Sequence, residues 1–292
     1  MQFFGNINIF IEYQKMLKNK KILIAGPWIS ELGWELMVWQ AAVRYKRLNG
    51  HYDQTYVITF PGRDVLYETC HIFNHTFELK NASFSIGKVD SSIQSQLLNA
   101  CIEKYNIHEP YDLFSPNALL TYYSRVMRKL FRKGLTFISY HSSIFPKQYD
   151  LIFHFRAFDK KGDINSKNSQ KDKADSLVQF YLKQGLKIGC IGYPNYCYIA
   201  EGADNLQSVD LGKTIDIINK THLVVGGSSA PMHLACLCEC PIVLWTGPPF
   251  NAKRYLTYWN PFKSDVFIVT EKSFNPELND IIKTINHALS MK

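Results

Sequence analysis

The sequence predicts an α/β protein of two domains, each built on a parallel sheet, and three observations carry that reading. Short apolar runs rich in β-branched residues alternate with amphipathic stretches along most of the chain. The alternation starts afresh after Pro146, so it runs in two series. The length of 292 residues suits two domains of about 150 residues each.

The first series opens with Lys21 to Ala25 (KILIA) as a predicted strand, a Gly26-Pro27 loop, and a helix from about Gly33 to Leu48 with Leu36, Trp39 and Val43 at helical spacing. Thr55 to Phe60 (TYVITF) reads as the next buried strand and Arg63 to Cys70 as a helix. The stretch 91–133 reads as mainly helical with a break near Pro110 to Pro116, and Leu135 to Tyr140 as a further strand. In the second series the predicted strands are Asp150 to Phe155 (DLIFHF), Leu186 to Ile191, His222 to Val225 and Ile242 to Trp245. The helices between them are Ala174 to Gln184, Lys213 to Lys220 and Pro231 to Cys238, with a polar loop over 159–172 and a last helix from about Pro276 to Ser290. The expected domains are therefore 1–146 and 147–275, with 276–292 as a C-terminal helix free to pack back on the first.

Composition narrows the class. Hydrophobic residues at 46% and charged residues at 20% exclude wholesale disorder and a coiled-coil rod. No apolar run approaches the roughly 18 residues of a membrane span. Near the start, Asn6 and Glu12 interrupt the apolar residues, with no basic stretch before them and no cleavage site after, so the expectation is a cytoplasmic protein. Lys+Arg 33 against Asp+Glu 25 gives +8, which favours an anionic partner: a nucleotide, a nucleic acid or the headgroups of a membrane surface. Seven cysteines at no zinc-like spacing predict thiols in a reducing compartment. Cys236, Cys238 and Cys240 would point about 200° apart in succession on a helix, so they read as small buried residues and no metal site is expected.

Two familiar phosphate loops fail. Gly212-Lys213-Thr214 imitates the end of a P-loop, but Gln207 occupies the position of the required glycine. No Gly-x-Gly-x-x-Gly follows any strand. The stretch Val224-Val225-Gly226-Gly227-Ser228-Ser229-Ala230-Pro231-Met232-His233 is stronger, because a buried strand turns through two glycines into serines and a proline suited to a first helical turn. Its helix N-terminus would suit a phosphate, and a plain capped helix fits the same residues equally well.

That stretch resembles the donor-phosphate motif of heptosyltransferases and related GT-B glycosyltransferases. Ser229, Pro231, Met232 and His233 match, while Ala230 replaces the usual glycine and Ser228 the common aspartate. Pro241 to Pro248 is similar to the next strand and loop of that family, so the likeness is good over residues 209–250 and rhythmic elsewhere. His154-Phe155-Arg156-Ala157-Phe158-Asp159-Lys160 resembles the His-x-Arg-x-x-Asp-Lys motif of α-1,6-type fucosyltransferases, in which the arginine binds the donor β-phosphate. Arg156 suits this role physically, and a structural Arg156–Asp159 pair is its alternative. His154 reads as packing within its strand. Near the amino end, Ser30, Leu32 and Gly33 match the Ser-x-Leu-Gly-Asp acceptor loop of heptosyltransferases, but Trp34 stands where that family places its catalytic aspartate. The alternative is that Glu35 favours a helix N-terminus and the tryptophans are core.

The resemblance implies a GT-B architecture of two Rossmann-like domains with parallel sheets facing a central cleft. It implies a metal-independent inverting glycosyltransferase moving sugar from a nucleotide-sugar donor to a saccharide or glycolipid, with the nucleotide-sugar as co-substrate and no cofactor. Glu31 or Glu35 would be the catalytic base. Arg156, Gly227, Ser228, Ser229, Ala230, His233 and Gly192 would bind the donor, with His233 orienting the backbone and Gly192 near the base and ribose. Trp28 and Trp34 would bind the acceptor. Two further readings stay open. One is glycosylation of a modified base in DNA, for which Arg125, Arg128, Lys129, Arg132 and Lys133 lie along one predicted helix. The other is a nucleotide- or sugar-binding protein of the same fold that lost its base. No Asp-x-Asp occurs in the chain, so direct binding of the diphosphate by Arg156 and the helix is expected rather than binding through a metal.

Overall fold

The computed structural model describes residues 21–76, 91–108, 110–116, 134–157, 167–247 and 249–291. It falls into two compact units: Met1–Glu31 with Val38–Thr136, and Leu32–Met37 with Phe137–Lys292. The division at Thr136 precedes the expected boundary at 146, and the short segment 32–37 belongs to the second unit although its neighbours on both sides belong to the first.

The first unit is formed by β1 (Ile22–Ala25), α1 (Gln40–Gly50), β2 (Gln54–Thr59), β3 (His71–Asn74), α2 (Ser91–Tyr105) and β4 (Tyr111–Phe114). Its four strands are parallel in the order β3-β2-β1-β4. All four residues of β1 are buried, as expected of a parallel strand covered on both faces. Ile22, Ile24, Tyr56 and Ile58 share one face and pack with Cys101 of α2 and with Ile107.

Three local expectations in this unit are corrected. The helix expected over residues 63–70 is one 3-10 turn, Asp64–Leu66, followed by β3. The Leu66 carbonyl accepts instead from the Arg44 guanidinium at 3.0 Å, and Thr69 takes a left-handed φ of 61°, so the turn does not propagate. The expected break at Pro110 to Pro116 contains β4, which forms because β1 offers it an edge. No strand forms over residues 135–140, where the Thr136 amide donates to Ala41 of α1 and the Tyr140 amide to Leu237. The basic residues from Arg125 to Lys133 lie outside the described residues.

The second unit contains β5 (Tyr149–Arg156), α3 (Lys171–Leu182), β6 (Ile188–Cys190), β7 (Cys197–Tyr198), β8 (Asp204–Asn205), α4 (Leu211–Asn219), β9 (Thr221–Gly227), α5 (Ala230–Leu237), β10 (Ile242–Trp245), α6 (Pro249–Tyr255), β11 (Val266–Thr270) and α7 (Leu278–Ser290). The parallel order is β11-β10-β9-β5-β6-β8, with β7 antiparallel against β5. Sequence periodicity missed β7, β8, α6 and β11, the first two because they are two residues long. Leu151, Phe153 and Phe155 of β5 face Leu177, Val178 and Tyr181 of α3 together with Ile281, Ile285 and Ala288 of α7. The C-terminal helix is thus part of this unit's core, and the Tyr181 hydroxyl donates to the Ile282 carbonyl at 3.2 Å.

Arg44 is the principal buried charge described in the first unit, 3% exposed. It donates to both Glu68 carboxylate oxygens at 2.6 and 2.8 Å, to the carbonyls of Leu66 and Thr136, and to the Gln40 side chain. This one side chain ties α1 to the chain before β3 and to the end of the unit. Burial works to raise the Glu68 carboxyl, but the bonds and charge of Arg44, the local backbone and Arg47 outweigh it and hold the group below its ordinary 4.5. The pair's contribution is therefore fully present above pH 4.5 and is lost as pH falls through the lowered value. Glu68→Ala strands the guanidinium and is expected to cost about 2 to 4 kcal/mol in urea denaturation at pH 7. The loss relative to the parent should shrink in strong acid; an undiminished loss would show that the ion pair is not its source.

Candidate functional site

The site grows from the order of strands in the second unit. Counted along the chain, β5, β6 and β8 are added in one direction and β9, β10 and β11 in the other, so the order reverses between β5 and β9. At such a reversal the loops after neighbouring strands diverge and leave a crevice beyond their carboxyl ends. The register pairs His154 with Gly226. Strand alternation puts Phe153 and Phe155 on the core face with α3 and α7, and therefore His154 and Arg156 on the opposite face.

Directly beyond Gly227 the chain turns through Ser228 and Ser229 into α5. Ser229 is the N-cap residue, extended at φ −161° and ψ 172°, and its side chain makes no capping bond. Its hydroxyl donates to the Gly227 carbonyl at 2.9 Å, so the 3.2 Å contact with His154 is donated by the imidazole Nδ1–H. The serine locks the turn to β5 instead of closing the helix end. The Ser228 amide donates to Trp245 of β10, which leaves its half-buried hydroxyl at the mouth, 3.3 Å from the Tyr255 hydroxyl. Ala230 and Pro231 in the first turn are also half-buried. Arg156 stands half-buried at the end of β5, opposite Cys197 of β7, while its carbonyl accepts the Ser169 amide at 2.8 Å. The Phe158 to Gly162 part of the arginine motif lies outside the described residues, so an Arg156–Asp159 pair does too.

Several expected residues take other places. His233 turns into the protein, 6% exposed, stacked on Tyr255 at 4.8 Å and against the edge of Trp259 at 4.6 Å. Burial, with the Arg254 charge adding to it, pushes its imidazole down to about 3. His154 is pushed down to about 4 by burial and then by Arg156. Both rings are neutral at physiological pH. The turn Leu32–Trp34 belongs to this same unit: a side chain at Gly33 would come within 3.3 Å of His233, and Trp34 meets Trp259 edge-on at 6.0 Å. Glu35 opens a π-helical turn, Glu35–Trp39, and is 0% exposed, whereas Glu31 is half-exposed.

Trp28 sits in the first unit and is 1% exposed, stacked at 5.5 Å on Trp39, which stacks in turn on Phe114. Its expected role as an open platform for a sugar is replaced by that of a buried wall. Gly192, expected near the donor, has φ 148°, and an added Cβ would lie 2.4 Å from Cys197 Sγ, so packing and backbone conformation already require a glycine there. Tyr255 and Trp259 were missed as participants, although their i, i+4 aromatic spacing was visible. His154, expected only to pack, holds Ser229. Cys236, Cys238 and Cys240 are buried as expected, and burial pushes the Cys236 and Cys238 thiols up. Among the described residues no group of three or more His, Cys, Asp or Glu could hold a metal ion.

Solved structures share this architecture along nearly the whole chain. The glycosyl transferase family 9 protein from Veillonella parvula DSM 2008 matches with a TM-score of 0.56 at 12% identity, covering 94% of this chain and 98% of that one. The chain has the fold of a family 9 glycosyltransferase. E. coli ADP-heptose lps heptosyltransferase II matches with a TM-score of 0.53 at 14% identity, over 93% of this chain and 99% of that one. No protein-family model matches the sequence, and no curated protein does. The resemblance seen in the motif after β9 is thus accompanied by a shared fold, while at such identity the side chains must be read on their own.

The two neutral histidines set a pH dependence. Unfolding lets each take up a proton near 6.5, whereas the folded protein resists until about 4 for His154 and about 3 for His233. Stability is therefore expected to fall as pH drops from 6.5 toward 4. Urea denaturation at pH 7 and pH 5 measures this, and His154→Gln should flatten the difference; equal slopes in the variant and the parent would contradict it.

Proposed function

We propose that the chain is a glycosyltransferase that takes a sugar from a nucleotide-diphosphate donor and delivers it, with inversion and without a metal, to a saccharide or glycolipid. The observation that carries this reading is the α5 N-terminus, left without a side-chain cap, on the sheet face to which strand alternation turns Arg156, at the strand-order reversal between β5 and β9. The positive end of the helix dipole, the Ser228 hydroxyl and a guanidinium able to hold two oxygens form a donor set for a diphosphate. The same groups would stabilise charge as the sugar–phosphate bond breaks. Ser229 and His154 would hold the turn in shape. The absence of Asp-x-Asp from the sequence agrees with direct binding by cationic and amide donors. The fold neighbour named for ADP-heptose makes ADP-sugars the first donors to try.

The acceptor reading rests on the first unit. Its strand order also reverses, between β1 and β4, and the chain beyond β1 carries Trp28 and Ser30. The indole N–H groups of Trp28 and Trp39 and the Ser30 hydroxyl are buried without hydrogen-bond partners. Enclosed as they are, these groups are out of a saccharide's reach, and the half-exposed Glu31 in the same stretch is the group that would meet one. Glu35 is sealed from solvent and Trp34 is not an acid, which leaves Glu31 as the base that would deprotonate the acceptor. No described helix is long and apolar enough to cross a membrane. A glycolipid acceptor would be met at a membrane surface, where the +8 charge is favourable.

Incubation with a panel of nucleotide-sugars, ADP-heptose among them, and a mixture of saccharide acceptors should release nucleoside diphosphate and form glycoside in excess chelator. Loss of turnover with chelator and rescue by magnesium would overturn the metal-free mechanism, and no turnover with any donor would overturn the enzyme. Arg156→Ala should weaken nucleoside diphosphate binding by about 1.5 to 3 kcal/mol, roughly ten- to a hundredfold, in calorimetric titration. Unchanged affinity and turnover would remove Arg156 from the donor site.

A further inference from the structure

A hydrogen-bonded chain stands behind Ser228, and what it implies rests on the donor-site reading above. Ser228 Oγ lies 3.3 Å from the Tyr255 hydroxyl, and that hydroxyl lies 3.3 Å from His233 Nε2. Tyr255 is 0% and His233 6% exposed, while Ser228 is half-buried.

Counting hydrogens decides which way this chain points. The phenol has one hydrogen and two lone pairs, and its hydrogen-bond partners are His233 and Ser228. Its hydrogen is buried and would be costly to leave without an acceptor, so that hydrogen and a lone pair are divided between His233 and Ser228 in one of two ways. In the first, the His233 proton is on Nε2 and is donated to the phenol, the phenol donates to Ser228, and the Ser228 hydrogen is left to point outward. In the second, the phenol donates to Nε2, Ser228 gives its hydrogen to the phenol, and only serine lone pairs face the mouth. The second arrangement puts the imidazole proton on Nδ1, which is buried with no partner. A buried N–H without an acceptor costs more than a bare ring lone pair, so the first arrangement is favoured. Burial keeps the ring neutral, so it carries a single proton and the two arrangements exclude each other.

We propose that His233 and Tyr255 are positioning residues that orient the Ser228 hydroxyl as a hydrogen-bond donor to the diphosphate of a nucleotide ligand. Neither residue touches the ligand; they fix the direction of the one hydroxyl that does. An isolated serine hydroxyl rotates freely, and one held this way offers its hydrogen without first losing that freedom. The assignment also accounts for a histidine in the first turn of α5 that faces inward, away from the ligand.

Nitrogen-15 NMR of the full chain tests the arrangement directly. His233 should show a protonated Nε2 and a bare Nδ1, and the opposite tautomer would overturn the proposal. ADP, GDP and UDP are then titrated into the wild type, Tyr255→Phe, Ser228→Ala and the double variant, with thermal unfolding as a control. Tyr255→Phe keeps the ring stack and should weaken whichever diphosphate binds by about five- to tenfold. In the Ser228→Ala background the same change should cost nothing further, whereas a merely structural tyrosine would cost as much in both. Equal losses, or wild-type binding that Tyr255→Phe leaves unchanged, would defeat the proposal alone. Failure of the wild type to bind any of the three would defeat the donor reading and this proposal with it.

Discussion

The parallel pairing of β5 with β9, in a register that sets His154 beside Gly226, is the constraint from which the candidate site follows. Because side chains alternate along a strand, this register brings His154 and Arg156 to the face on which α5 begins. Because the strand order reverses at this pair, the connections after β5 and β9 lead to opposite sides of the sheet order. A slip of one residue would turn Arg156 toward α3 and α7, away from the face on which α5 begins. Eight residues of β5 and seven of β9, buried through most of their length, hold the register in place.

Around that pair the polar groups divide into two kinds. Arg44 in the first unit has partners at every side and serves to tie segments together. Ser229 is held in the same way, by the Gly227 carbonyl and by His154. By contrast, the indole N–H groups of Trp28 and Trp39, the Ser30 hydroxyl and Nδ1 of His233 are buried without partners. Native interiors rarely leave such groups unmatched, and these lie beyond β1 and in the first turn of α5.

Agreement of the backbone with a family 9 glycosyltransferase at 12% identity shows how little of a fold depends on particular side chains. The apolar rhythm and the turns suffice for the sheets. The site is more particular, and at Trp34 this chain departs from the aspartate of the pattern that it resembles. The departure is accommodated structurally: Trp34 packs on Trp259, Arg254 lies 4.6 Å over the same ring, and Tyr255 and His233 complete the cluster. An acid at position 34 would face this aromatic cluster, whereas an indole extends it.

What the sequence determined by itself was the alternation of strands and helices, the glycine-serine turn into α5 and the arginine at the end of β5, since each is written in neighbouring residues with a strong local preference. Elements that exist only because another strand offers an edge, such as β4 and β7, carried too little local signal to be read. The fate of single side chains was likewise decided in three dimensions. Nothing local says that Ser229 turns back to Gly227 and His154, that Trp28 is enclosed by Trp39, or that Glu35 is sealed while Glu31 is not. Those outcomes depend on contacts between residues tens of positions apart, and hydrogen-bond geometry and burial are properties of the packed chain, which sequence spacing constrains but does not specify.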